Sequence, residues 1–363
     1  MAQVVYTRST DGGRSWSRHI LSQECYAFHE PIAIASSNDM VYVAWSEETA
    51  DWEHNLMFAI SHDQGMSWGT PQILATHRDF IVLSLEVVAE GDHVVVLYMT
   101  REYIPVPNSS LMIVSENRGD DWSRPRHVPK GTGNVYDAVI VDSALYISFC
   151  YWQWGGDDVS FLLFSPDWGT TWNESRIGQD ITGNFCAFDM KVRNDRIGVL
   201  AEEGYTHSAL VDLNWSHLNQ NVSGWRLLDS DDTLLALSYS RNDGVYAQLS
   251  YNEGEEWTVK APILELNEHY QRDFDAESSG SDVAFVWIEK REATEFMNEE
   301  VFLMVSHDFG VTWSEPTRVT DHVYELALPL FVVTVLVLLL MTVLTICFFG
   351  EFIRARRRRP ILS

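Results

Sequence analysis

The stretch Leu56-Met57-Phe58-Ala59-Ile60-Ser61-His62-Asp63-Gln64-Gly65-Met66-Ser67-Trp68 decides the fold. An apolar run of strand type leads into an octad that reads S-x-D-x-G-x-[ST]-W. The aspartate carboxylate of such an octad can accept hydrogen bonds from the N–H groups of a turn. The glycine supplies a positive φ that other residues resist. The tryptophan opens a return strand and offers a large apolar face to a neighbour. The octad therefore reads as a tight turn between two antiparallel strands.

The octad recurs along the chain. Ser9–Trp16, Ser165–Trp172 and Ser306–Trp313 match it completely, while Ser115–Trp122 and Ser250–Trp257 carry Asn117 and Asn252 in place of the aspartate. An eroded position ends at Trp225. Octad tryptophans then fall at 16, 68, 122, 172, 225, 257 and 313, a spacing near fifty residues apart from one interval of 32. Between octads lie further apolar runs, such as Val41-Tyr42-Val43-Ala44-Trp45, Val94-Val95-Val96-Leu97-Tyr98 and Val283-Ala284-Phe285-Val286-Trp287, each preceded by another strand-like run. Each period reads strand, strand, strand, octad, strand, which is one blade of a propeller. The expected fold is all-β: a six-bladed β-propeller of four-stranded antiparallel blades, seven being the alternative count, plus one C-terminal transmembrane helix. The 32-residue interval predicts a short blade between Trp225 and Trp257 that has lost a strand. Asp11, Asp63, Asp167 and Asp308, with Trp16, Trp68, Trp172 and Trp313, are assigned to the scaffold rather than to chemistry.

Four regions follow: a propeller ectodomain over 1–320, a linker over 321–325, a membrane span over 326–349 and an Arg-rich tail over 350–363. Residues 326–349 hold 24 consecutive uncharged positions. As a helix they would reach about 36 Å, enough for a hydrocarbon core of about 30 Å. The arginines at 354 and 356–359 follow directly and favour a cytoplasmic tail with the propeller outside. The chain opens without the basic and apolar segments of an export signal. An amino terminus lacking its first strands is the preferred account of the opening hairpin, residues 3–21. The competing account closes the ring with that hairpin beside Pro316–Val319.

Composition restricts the partners. The chain has 363 residues and a formal net charge of -27. A surface this acidic repels phosphate backbones, so no nucleic-acid partner is expected. The cysteines, Cys25, Cys150, Cys186 and Cys347, have no metal-ligand spacing. They are read as small buried apolar residues, with a Cys150–Cys186 bridge as the alternative. Nucleotide-binding, zinc-protease and serine-hydrolase motifs are absent. No cofactor or metal is expected: Asp157-Asp158, Asp231-Asp232 and Glu299-Glu300 lack the ordered pattern of a calcium loop and read as solvated. Sequons at Asn108, Asn173, Asn214 and Asn221 fit a surface protein.

The octads resemble the Asp boxes, or BNR repeats, of the sialidase-like β-propellers, and the resemblance covers residues 1–320. It implies a carbohydrate or extracellular protein ligand. In enzymes of that family three arginines hold a substrate carboxylate, a Glu-activated Tyr is the nucleophile and an Asp is the acid/base. Arg241 resembles one of those arginines, Arg291 matches another loosely, and Tyr324 falls a similar distance beyond the last box. Arg101 occupies a comparable strand-end position, so Arg101, Arg241 and Arg291 are the ligand-binding candidates. Asp229 stands near the place of the activating Glu and is a poor substitute. The expectation is a surface-anchored binding propeller without complete catalytic machinery, the alternative being a membrane-tethered, retaining exo-glycosidase.

Overall fold

The computed structural model describes residues 3–319 apart from 24–30, 50–52, 79, 103–108, 130–133, 152–158, 178–186, 194, 202–203, 211–212, 217, 223, 225, 231–232, 241–243, 266–270 and 291–298. The apolar runs are strands and the octads are the turns between them. A hairpin of β1 (Val5–Arg8) and β2 (Ser17–Ile20) flanks the first octad. Blade one follows as β3 (Ile32–Ser37), β4 (Met40–Glu48), β5 (Glu53–Ser61) and β6 (Gln72–Arg78). Blade two is β7 (Phe80–Glu90), β8 (His93–Glu102), β9 (Ser109–Ser115) and β10 (Arg126–His127). Blade three is β11 (Asn134–Val141), β12 (Ala144–Tyr151), β13 (Val159–Ser165) and β14 (Asn173–Arg176). Blade four has three strands, β15 (Ala187–Arg193), β16 (Arg196–Ala201) and β17 (Gly204–Ala209). Blade five is β18 (Arg226–Ser230), β19 (Thr233–Ser240), β20 (Gly244–Ser250) and β21 (Ala261–Glu265). Blade six is β22 (Gln271–Ser279), β23 (Asp282–Lys290), β24 (Glu299–Ser306) and β25 (Thr317–Arg318). Pairing is antiparallel between consecutive strands in every sheet, which is the six-bladed propeller read from the sequence. Among the described residues there is no helix.

Each octad is closed by its own side chains. Ser61 Oγ accepts the Gly65 N–H at 2.7 Å and donates to Asp63 Oδ1, while Asp63 accepts both the N–H and the hydroxyl of Ser67 at 2.7 and 2.6 Å. The boxes of Asp11, Asp167 and Asp308 repeat these bonds. Asn117 and Asn252 keep the backbone acceptor role toward Asp121 and Glu256. The hydrogen bonds from Ser15 and Ser67 hold the Asp11 and Asp63 carboxyls down at about 2. Asp167 and Asp308 are likewise lowered. The fourth octad residue ties the box to its own blade: Gln64, Arg118 and Phe309 donate their N–H groups to Asp39, Asp92 and Ser281 in the turn between the first two strands.

The boxes also join neighbouring blades. Trp68 packs edge-on against Tyr6 of the hairpin, Trp122 against Phe58 of blade one and Trp257 against Tyr205 of blade four. A Cβ on Gly254 would lie 2.2 Å from the Tyr205 ring, and one on Gly65 would lie 2.3 Å from the Tyr6 hydroxyl. The apolar core accordingly lies between blades: Tyr42, Leu56 and Phe58 of blade one are buried against Val94, Val96 and Tyr98 of blade two. Each such side chain is worth about 1.5–3 kcal/mol once fully buried.

Three expectations are revised. The unit without a fourth strand is blade four, whereas β18–β21 form a complete blade, so the short 225–257 blade is not found. In blade four, Ser216 and Asn219 bond to His207 and Tyr205 of β17, and the remnant octad tryptophan is Trp215, which packs toward blade three and donates to Ser175. Trp225 itself lies outside the described residues. The hairpin β1–β2 does not join β25, which pairs with β24. It stands as a separate two-stranded sheet between blade six, where Gly13 approaches Leu303, and blade one, where Tyr6 meets Trp68. Cys150, read as a buried thiol, is disulfide-bonded, and neither Cys25 nor Cys186 lies in the described region.

The linker, the span over 326–349 and the tail lie outside the described residues, within which no helix is long and apolar enough to cross a membrane.

Gly254→Ala introduces a side chain at φ +91 and against Tyr205, with an expected loss of about 3 kcal/mol in urea unfolding at pH 7. The lowered aspartate pKa values place their stabilising contribution above pH 3.8, to be lost as pH falls toward 2. Asp63→Asn should flatten part of that acid-limb slope, measured as Tm against pH.

Candidate functional site

The first strands of the blades, β3, β7, β11, β15, β18 and β22, succeed one another around the ring axis. Four of them carry a bulge near the same level, at Val82/Ser84, Val135/Asp137, Ala187/Asp189 and Arg272/Phe274. A bulge re-aims side chains that a regular strand would send to a sheet face, and two of these bulges place an aspartate at the shift.

Asp137 and Asp189 link successive blades through backbone groups. Asp137 Oδ1 accepts the Ala138 N–H and its Oδ2 accepts the Met190 N–H of β15 at 2.7 Å. Asp189 accepts the same Met190 N–H and, through Oδ2, the Leu227 N–H of β18 at 2.8 Å. Arg226 of β18 then donates from Nε to Asp275 of β22 at 2.8 Å, with its Nη1 4.0 Å from Asp189. Lys191 Nζ lies 3.9 Å from Asp189. These residues and Glu86 line an axial cavity of about 840 Å3 that extends to Tyr6, Ile32 and Ile34. A second cavity, beside Arg196, Tyr205 and His207, is only about 30 Å3, room for one or two water molecules.

Burial raises the Asp137 pKa well above the carboxylate range, reinforced by Asp189, to which it is hydrogen-bonded. Glu86 is pushed up to about 8, first by burial and then by Asp189 and Asp275, with Arg226 opposing. Burial works against the charge on Lys191 and Arg226, but the carboxylates around them prevail and both stay cationic. The cavity thus presents several carboxyl groups and two cations at close range. Such a set can bind hydroxyl-rich or partly anionic ligands through charge-assisted hydrogen bonds. Among the described residues no three His, Cys, Asp or Glu groups are placed to hold a metal ion.

The candidates from the sequence do not converge here. Arg101 is exposed near the end of β8, opposite Ile81, and does not line the cavity. Arg241, Arg291 and Tyr324 lie outside the described residues. Asp11, Asp63, Asp167 and Asp308 accept hydrogen bonds within their own turns. Glu86, Asp137, Asp189, Lys191, Arg226 and Asp275 were not singled out. Their signal was a charge interrupting the first apolar run of a period, as in Leu85-Glu86-Val87 and Met190-Lys191-Val192.

An Asp-box β-propeller with a polar axial cavity is the class these features define. Residues 39–282 match the BNR repeat-like domain, and the chain belongs to that family. No curated protein sequence matches it. Among solved structures, it is similar to the polysaccharide lyase Uly1, with 10% identity, 84% of this chain and 85% of that one covered, and a TM-score of 0.56. The sialidase of Trypanosoma rangeli in complex with the inhibitor DANA gives 11%, 78% and 56%, with a TM-score of 0.55. The Hadza microbial sialidase Hz136 gives 12%, 72% and 62%, with a TM-score of 0.50. The chain thus spans about three fifths of the length of these sialidases, and the likeness is one of fold.

Replacing Glu86 by Gln removes a group whose folded pKa is raised to about 8 from 4.5. A raised carboxyl contributes fully at low pH and loses that contribution as pH climbs through the folded value. The Tm difference, variant minus wild type, should therefore grow from pH 4.5 to pH 8 and level off above it.

Proposed function

We propose that the protein is a surface-anchored propeller that binds a glycan in its axial cavity. The observation that carries this reading is the cavity of about 840 Å3, in which Lys191 and Arg226 stand among carboxyl groups at the ring axis. Carbohydrate is also the ligand class of proteins sharing the fold: one ulvan lyase structure is bound to -[GlcA(1-4)Rha3S]-, and a T. rangeli sialidase structure contains 2,3-difluorosialic acid. Residues 326–349 serve as the anchor, leaving the arginine tail in the cytoplasm and the propeller outside. The Cys150 disulfide supports an oxidising compartment. So does the exposure of the sequon asparagines Asn173, Asn214 and Asn221.

Binding without turnover is the primary reading. The closeness of Asp137 to Asp189, with burial raising the Asp137 pKa, favours one competitor, a membrane-tethered glycosidase using an axial carboxylic acid. Arg241, Arg291 and Tyr324 would supply the substrate clamp and nucleophile of a sialidase-type reaction. Protein partners remain within the same proposal only as bearers of the glycan.

A glycan array probed with the full chain should yield a carbohydrate ligand. Lys191→Met should weaken that ligand by about 10–100-fold in a titration, the loss of one charge-assisted hydrogen bond. Turnover of a fluorogenic sialoside that vanishes in Arg241→Ala and Arg291→Ala would replace binding by catalysis.

A further inference from the structure

The charged groups of the axial cavity are already paired with one another. Arg226 donates from Nε to Asp275 at 2.8 Å and holds Nη1 4.0 Å from Asp189. Lys191 Nζ stands 3.9 Å from the other oxygen of Asp189, a residue only 3% exposed. Glu86, Asp137 and Glu277 line the same space, so among the described residues five carboxyl groups face two cations. The carboxylates still outnumber the cations if Glu86 and Asp137 both carry a proton. A ligand carboxylate brought against Lys191 or Arg226 therefore meets the carboxylate already paired with that cation, and like charges at such range repel. A sugar hydroxyl meets no such conflict, because it donates and accepts at once. Neighbouring hydroxyls on one sugar ring can accept from Lys191 and donate to the carboxylates around it, leaving the existing pairs intact.

We propose that, of the hydroxyl-rich and partly anionic ligands such a cavity could hold, this one takes neutral saccharides and excludes sugars bearing a carboxylate, with Asp275 and Glu277 setting the exclusion. The proposal rests on the glycan reading above and narrows it. Asp275 matters most. A guanidinium is the side chain best shaped to grip a carboxylate through two parallel hydrogen bonds. Among the described residues Arg226 is the cavity's sole guanidinium, and Asp275 occupies the Nε that one of those bonds would use. Glu277 stands two residues further along β22, exposed and lining the cavity, where its charge acts on Lys191. The remaining cation is thus claimed by Asp189 on one side and by Glu277 on the other. Neither cation is left to anchor an acidic sugar, while both still offer N–H groups to a hydroxyl oxygen.

The test is a glycan array scored as matched pairs, each neutral chain set beside the same chain carrying a sialic or uronic acid unit. The full chain should retain the neutral member at least tenfold better. Titration of the best pair should show the gap narrowing as salt screens the cavity's charge. Asp275→Asn frees the Arg226 guanidinium and Glu277→Gln removes a negative charge. Combined, these two changes at exposed positions should raise the ratio of acidic to neutral affinity at least tenfold, a shift that damage to folding does not produce. Equal or tighter retention of the acidic members by the unaltered chain would overturn the proposal and leave the glycan reading standing. A ratio that the double variant leaves unchanged would do the same. Failure of every chain on the array to bind would remove both.

Discussion

The contact between an Asp-box turn and the blade before it governs how this molecule is built. In each box a serine and an aspartate or asparagine satisfy the turn's own N–H groups, so the turn holds its shape without help from neighbours. The glycine then lets that rigid turn approach an aromatic or aliphatic side chain of the preceding unit more closely than a Cβ permits. Local closure and lateral packing are thus combined in eight residues. Because the buried apolar clusters lie between sheets, no blade has a complete core alone, and a radial arrangement buries the faces in succession.

Charge at the axis follows from the same geometry. Inner strands converge there, and as the edge strands of their sheets they carry N–H groups that the ladder does not use. Asp137 and Asp189 take up those groups across two blade boundaries, and Arg226 continues the chain of contacts to Asp275. Satisfying backbone donors brings several carboxyls into a confined space, where desolvation and the neighbouring Asp189 raise the Asp137 pKa well above the carboxylate range. A structural need therefore generates a chemically distinctive cavity. Structural linkage and ligand recognition are compatible uses of one set of side chains, which is why Lys191, outside the staple itself, is informative about binding.

Much of the fold was legible in the residues. Serine, aspartate, glycine and tryptophan have separate local duties in the octad, so each turn announces itself without reference to the rest of the chain. Blade four shows where that legibility ends. Its octad is eroded, Trp215 retains the packing role, and counting from Trp225 instead shifted the missing strand into the next blade. The axial site was hidden for a related reason. Asp137 and Asp189 are 52 residues apart, each looks like a solitary polar residue in an apolar strand, and only the ring brings their carboxyls together.

The amino-acid sequence by itself determined the strand order, the turn positions and the all-β repeat, because hydrogen bonds within eight residues and a period-two apolar pattern are local matters. Tertiary structure alone decided which sheets touch, which carboxyls share a cavity and which units the hairpin β1–β2 packs between. Those outcomes depend on how sheets close around an axis, and closure couples residues hundreds of positions apart, as Gly13 and Leu303 show.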